Sequence, residues 1–392
     1  MEILRILLGI LIIIFLPLGQ IAKFDLGFKA SVTAFDIGLL FLVFFWIFYC
    51  LFRKKKIKAA LTKPIILFVS VCFVSLLLNT RGITMEQLLV SVSYLFRWAL
   101  YSIVYFIAVS LNKDKKKGIT AYLFYSGIII LFLGFIQVFF YPSLKNLYYL
   151  GWDEHMYRLF SSFLDPNFTG IYFVVIFFLG IYLYFLKNKK RYIVLCILLL
   201  IGIFLTYSRT ALVTLLLSTA SFLVISNRKK IIIPIVLLVF LVTLLFPKTF
   251  KSEGTDYFRF FSVNARISSM QHGLKIFIDH PFFGIGFNSY RYFQEKYGFE
   301  LTDYTIPSRA AAGVENSFVF ILATTGIVGV ISYLFILFKM FKLTLLNKSK
   351  ILPKITFSIL IGLIGSSMFI NSLFYTFIMF TLWVIVGITE NN

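Results

Sequence analysis

Apolar residues run in windows of about 18 or more along almost the whole chain, separated by short polar turns. The windows lie near 3–22, 34–52, 64–80, 88–111, 119–141, 168–186, 191–207, 210–226, 231–247, 315–338, 353–371 and 373–389. Read as spans, they predict an all-α, polytopic membrane protein with about twelve transmembrane helices and a single membrane domain over residues 1–392. The first window is too long for a signal-peptide core and has no small-residue cleavage site, so it reads as an uncleaved span. The last two are divided only by Asn371 and Ser372.

The polar connections alternate in character. Arg53–Lys63, Asn112–Lys117, Lys187–Arg191, Asn227–Lys230 and Lys339–Lys354 are rich in Lys and Arg, while those between them are not. The positive-inside rule puts the basic connections, and both termini with them, in the cytoplasm. Two segments on the other side exceed what a turn needs, Pro142–Asn167 and the longer Lys248–Gly313. Within the second, Ile267, Met270, Leu274 and Phe277/Ile278 recur at helical spacing. They predict a short amphipathic helix, capped by Asn264 and stopped by Pro281, whose apolar face rests on the bundle or the membrane surface.

Composition agrees. Sixty per cent of residues are hydrophobic, mean hydropathy is +0.93 and only 14% are charged, which excludes an ordinary soluble domain. The net charge of +22 sits in the short runs between windows rather than in a binding stripe, so it speaks for topology and against a nucleic-acid partner. Cys50, Cys72 and Cys196 all fall in apolar windows, giving no disulfide framework and no metal site. Neither a Gly-rich phosphate loop nor a His/Cys cluster suggests a bound cofactor.

Candidate chemistry therefore rests on polar residues inside or beside the windows. Arg97 lies about nine residues into its window, roughly 13 Å deep. It reads equally as a functional charge facing a cavity and as a structural one paired with Asp36 or Glu86. Taken alone, Arg209 in the tight turn Thr206–Arg209 is an interfacial snorkelling side chain, and Arg266 is a solvated one. Glu315 and Asn316 open the window after the long loop, either as helix caps or with Glu315 as a general base at the membrane boundary. His280 precedes a turn set by Pro281, Gly284 and Gly286. Jointly, arginines on one face suit a bidentate anion such as a diphosphate, and a nearby carboxylate supplies a base.

Several stretches carry a resemblance. Tyr207–Ser218, "YSRTALVTLLLS", resembles the S-R-[ST] signature of the O-antigen ligase and polymerase superfamily. Asn264–Tyr290 is similar to that family's loop pattern, an arginine, an amphipathic helix, then a Pro- and Gly-containing turn. Glu315–Leu334, beginning "ENSFVF", resembles the helix that follows, and Arg158–Gly170, "RLFSSFLDPNFTG", resembles a further family stretch.

The resemblance implies a membrane glycosyltransferase using undecaprenyl-diphosphate-linked glycans at the outer face of the bacterial cytoplasmic membrane, with neither nucleotide sugar nor metal. It maps the donor-diphosphate arginines to Arg209 and Arg266, and the base to Glu315. Arg97, Arg158, Asn167, His280 and Asn316 stand beside them as substrate-contacting candidates. The family's ligases carry a histidine where this chain has Glu315. That departure favours a polymerase of lipid-linked repeat units for capsule, exopolysaccharide or O-antigen over a ligase transferring glycan to another acceptor. The implied partners are the lipid-linked glycans, membrane lipid, and a chain-length regulator and flippase of the same pathway. A flippase is the alternative from another class, but it calls for polar residues at mid-depth in several spans, and here the polar content gathers at one face.

Overall fold

The computed structural model describes residues 2–27, 30–54, 57–245, 255–257, 261–299, 313–346 and 348–390. Helix stands at every apolar window. The first is a continuous run of Glu2–Ile10, a wider π turn Leu11–Phe15 and Leu16–Leu18. Five helices are long and apolar enough to cross a membrane: Ala34–Phe52, Met85–Val109, Lys113–Phe140, Pro166–Lys187 and Ser317–Leu346. Five shorter apolar ones are Thr62–Leu78, Arg191–Leu205, Arg209–Ile225, Ile351–Ser367 and Thr376–Thr389, and Ile232–Leu245 fills the ninth window. Phe41, Phe44, Phe139 and Phe140 stand exposed on this bundle, an outward apolar surface that suits lipid as solvent.

Three expectations are corrected. The chain is not purely helical: Lys23–Gly27 and Ala30–Thr33 form a small antiparallel hairpin between the first two windows, Lys23 opposite Thr33. The last two helices are separated by the whole of 368–375, including a 3₁₀ turn at Ser372–Phe374, rather than by two residues. The loop helix runs Phe261–Asp279, so Asn264 lies in its first turn and is not its cap. An Asn is cheap there, because first-turn N–H groups have no partner within the helix in any case. Pro281 does follow the helix end. The remainder of the predicted 248–313 loop, 248–254, 258–260 and 300–312, lies outside the described residues.

The bundle packs helices far apart in the chain against one another. Met85–Val109 packs along Thr376–Thr389, Thr62–Leu78 along Ser317–Leu346, and Arg209–Ile225 along Ile351–Ser367. Helix Ser317–Leu346 is broken at Gly326, where φ is 65° and ψ is −166°. The turn after the loop helix docks into this break. Ile285 and Gly286 N–H donate to the carbonyls of Ala323 and Thr324 at 3.1 and 3.0 Å, and Ile327 N–H donates to that of Pro281 at 2.8 Å. Ser75 Oγ donates to the carbonyls of Phe283 and Thr324 at 2.5 and 2.9 Å. A Cβ at Gly326 would lie 2.2 Å from the Phe282 carbonyl oxygen, and one at Gly284 would lie 2.4 Å from the Thr324 carbonyl carbon. Irregular backbone inside a bundle survives only when its polar groups are satisfied by protein, and here each strand of the break satisfies the other.

Candidate functional site

The loop helix Phe261–Asp279 lies against the start of helix Ser317–Leu346. Its contact face differs from the apolar stripe read in the sequence. Gly273 and Ile276 are buried, whereas Ile267, Leu274 and Ile278 are exposed. Small residues let the helix approach closely: a Cβ at Gly273 would sit 2.6 Å from Val319. The exposed stripe is the side free to meet a membrane surface.

This approach brings two site candidates into contact. Arg266 Nε donates to Glu315 Oε2 at 2.9 Å, and Ser269 Oγ accepts from Glu315 N–H at 3.2 Å. Burial holds the Glu315 carboxyl above its usual range; the charge of Arg266 opposes that shift, and the charge of Asp165 adds to it. Arg209 feels the charges of Arg266 and Asp256. Arg209 and Arg266, in two different helices, and Glu315, just before a third, thus belong to one electrostatic cluster.

The turn that presents Arg209 is fixed from beneath. Arg158, 4% exposed, donates from Nε to the Thr206 carbonyl at 2.9 Å, and from Nη2 to Asn167 Oδ1 and the Tyr207 carbonyl at 3.2 and 3.4 Å. Asn167 Oδ1 also accepts from Ser208 Oγ at 3.1 Å, and Ser208 Oγ in turn accepts the Ala211 N–H, capping helix Arg209–Ile225. Tyr207 sits at φ 48°, a left-handed conformation costly for a tyrosine. Arg158 and Asn167 hold it there. Both are substrate-contacting candidates by sequence; Arg158 braces the Arg209 turn from beneath, while Asn167 braces the turn and also lines the neighbouring cavity.

Beside the cluster opens a cavity of about 300 Å³, lined among others by Tyr94, Arg97, Asp165, Asn288, Arg291 and Glu315. It lies at the ends of helices Pro166–Lys187 and Ser317–Leu346 opposite their basic connections. Arg97 reaches its wall while donating from Nη2 to Asp36 Oδ2 at 2.7 Å, so both of its readings hold together. Asn316 acts as the helix cap: Oδ1 accepts from Phe318 and Val319 N–H at 2.9 and 3.1 Å, and Nδ2 donates to the Met368 carbonyl at 2.9 Å. His280 is not a lining residue and stands edge-on to Phe293, 6.3 Å between centroids.

Asp165, Asn288, Arg291 and Asn371 belong to this site and were missed. Asp165 was visible in "DPNFTG", but Asp before Pro is an ordinary helix start, and Oδ1 does accept from Asn167 and Phe168 N–H at 2.7 and 3.3 Å. Burial also raises its pKa, against the opposing charges of Arg158 and Arg266.

The fold and site are those of a multi-pass membrane protein, a helical bundle rich in apolar spans with arginines and half-buried carboxylates gathered at and beside one cavity. Residues 194–334 match the family described as O-antigen ligase, and that segment is of the O-antigen ligase and polymerase superfamily, as the motifs implied. The match takes in Arg209, Arg266 and Glu315 and supports a glycosyltransferase-like membrane function of ligase or polymerase type. Among curated proteins, none matches the chain.

Proposed function

We propose that the protein polymerises undecaprenyl-diphosphate-linked oligosaccharide repeat units at the outer face of the bacterial cytoplasmic membrane, crossing it about twelve times with both termini inside. The observation that carries this reading is the Arg266–Glu315 contact at the cavity, with Arg209 beside it. The donor's diphosphate lies across Arg209 and Arg266. Arg266 uses Nε toward Glu315, and its two Nη groups carry four further N–H donors, the geometry a diphosphate can bridge. A hydroxyl of the incoming repeat unit attacks the anomeric carbon of the growing glycan. The new glycosidic C–O bond forms as the C–O bond to the diphosphate breaks, the hydroxyl proton passes to Glu315, and undecaprenyl diphosphate leaves with its charge held by the arginines.

The test is purified protein supplied with lipid-linked repeat units. A polymerase gives a ladder of products, whereas a ligase moves one preformed chain to a different acceptor. Arg209→Ala or Arg266→Ala slows chain growth on the order of 10²-fold or more. Unimpaired growth by either variant would remove that residue from the mechanism.

A further inference from the structure

Beyond its charged residues, the wall of the cavity is not uniformly greasy. Trp98, Phe168, Phe287, Phe374 and Tyr375 supply flat apolar faces, and among them stand two carboxamides, Asn288 and Asn371. Asn288 Nδ2 and Asn371 Oδ1 are buried with no hydrogen-bond partner among the described residues, and so is Arg97 Nε. Arg291, close by, lies over the Tyr94 ring at 5.3 Å. The two asparagines come from different parts of the chain, one from the docked turn and one from the 368–375 connection, yet both line one space of about 300 Å³.

A buried amide group left without a partner costs about 1–3 kcal/mol. Two of them, one offering a donor and the other an acceptor, are better explained by a ligand that completes them than by packing. Helix Ser317–Leu346 begins next to this wall, and its cap Asn316 shows what a structural asparagine looks like here: both ends of its amide are engaged.

We infer that this wall is a sugar-binding subsite, in which Asn288, Asn371 and Arg97 Nε hydrogen-bond the hydroxyls of one pyranose ring while the aromatic faces cover its apolar C–H side. A pyranose has that dual character, hydroxyls around its edge and C–H groups on a face, and amides paired with aromatic planes match it without demanding charge. The diphosphate belongs to the arginine cluster, so the ring seated here is distinguished by its own hydroxyl pattern. The subsite therefore deepens the proposed function by assigning selection of the repeat unit to Asn288 and Asn371.

The experiment measures binding to detergent-purified full-length protein by saturation-transfer NMR with two probes. One is oligosaccharide released from the source cell's own surface polysaccharide, free of lipid and phosphate; the other is undecaprenyl diphosphate without sugar. Asn288→Leu and Asn371→Leu weaken oligosaccharide binding about tenfold each and leave undecaprenyl diphosphate binding within about twofold, as the loss of one well-made hydrogen bond predicts. Arg266→Ala has the reverse pattern. Asn288→Asp, which keeps the shape but replaces the donor with an acceptor, repeats the selective loss should the leucine variants fail to fold. Asparagine variants that bind oligosaccharide like the wild type overturn the subsite and leave the polymerase reading standing, as does wild-type protein that binds only undecaprenyl diphosphate. Wild-type protein that binds neither probe overturns both.

Discussion

The Arg97–Asp36 and Arg266–Glu315 pairs bring the same two chemical groups together at similar distances, 2.7 and 2.9 Å. Their surroundings differ. Asp36 accepts from Arg97 Nη2, Tyr101 OH, Thr33 Oγ1 and Thr33 N–H, all between 2.7 and 2.8 Å, and it closes the capping box of helix Ala34–Phe52. Its lone pairs are committed. The Glu315 carboxylate accepts one bond among the described residues, from Arg266, and its side chain is 32% exposed against 9% for Asp36. A carboxylate saturated with donors is a structural tie, because protonating it would disrupt every bond it makes. One with a single partner, at the edge of a cavity, has capacity left for a proton. The contrast separates a carboxylate that only anchors its arginine from one that can also take a proton, in a protein where both belong to arginine–carboxylate pairs.

Exchanging the chemistry of each pair tests the contrast most severely. Glu315→Gln keeps shape and hydrogen bonding to Arg266 but cannot take a proton, and chain growth should fall about 10²–10⁴-fold with little change in thermal melting. The matching substitution Asp36→Asn should instead lower stability by about 3–5 kcal/mol, since it leaves Arg97 without its counter-charge, while folded molecules still elongate glycans. If both variants lost activity and stability alike, the distinction would collapse. Arg158→Met should have a smaller effect of mixed kind. It leaves the Thr206 and Tyr207 carbonyls without their donor, costing about 1–3 kcal/mol, and it loosens the Arg209 turn. A rise in KM for lipid-linked donor larger than the fall in kcat would identify Arg158 as a positioning residue, whereas unchanged kinetics in a less stable protein would make it purely structural.

The gentlest probe is pH. Burial raises the Glu315 pKa and Arg266 opposes that rise. A base works ionised, so activity is lost as pH falls through this raised value, placing the acid limb above that of an ordinary glutamate. Arg266→Gln removes the opposing charge, and the acid limb of its residual activity should move to higher pH. A move to lower pH would show that Arg266 does not hold Glu315 in its charged form.

How much of this could be read from the chain alone depends on how local the cause is. The helices were legible because each apolar window carries its own signal, and in lipid a helix is the available answer. Arg209, Arg266 and Glu315 were legible through short motifs, although separate windows gave no measure of how close they come. What escaped was created by tertiary contact. Gly326 looks like one more small residue in "ATTGIVG", yet it breaks the helix because the Pro281–Gly286 turn supplies replacement hydrogen bonds. Asn371 looked like half of a two-residue turn. Arg158 was assigned to substrate through the family stretch that it opens, although its partners include carbonyls 48 and 49 positions away. The small residues Ser269 and Gly273 hid the contact face of the loop helix, since apolar periodicity counts bulk and not closeness of approach.

The docked turn also bears on how such proteins can be recombined. The segment between the ninth and tenth windows looks like an insert that could be exchanged between relatives to carry specificity with it. Its Pro281–Gly286 end, however, completes the hydrogen bonding of helix Ser317–Leu346 and is held in turn by Ser75 and Asn79 of the first half. A graft that ends before Ser317 would strand carbonyls in the interior on both sides of the junction. The exchangeable unit is therefore the loop together with the following helix as far as Val328, received by a host whose Thr62–Leu78 helix presents a hydroxyl where Ser75 stands.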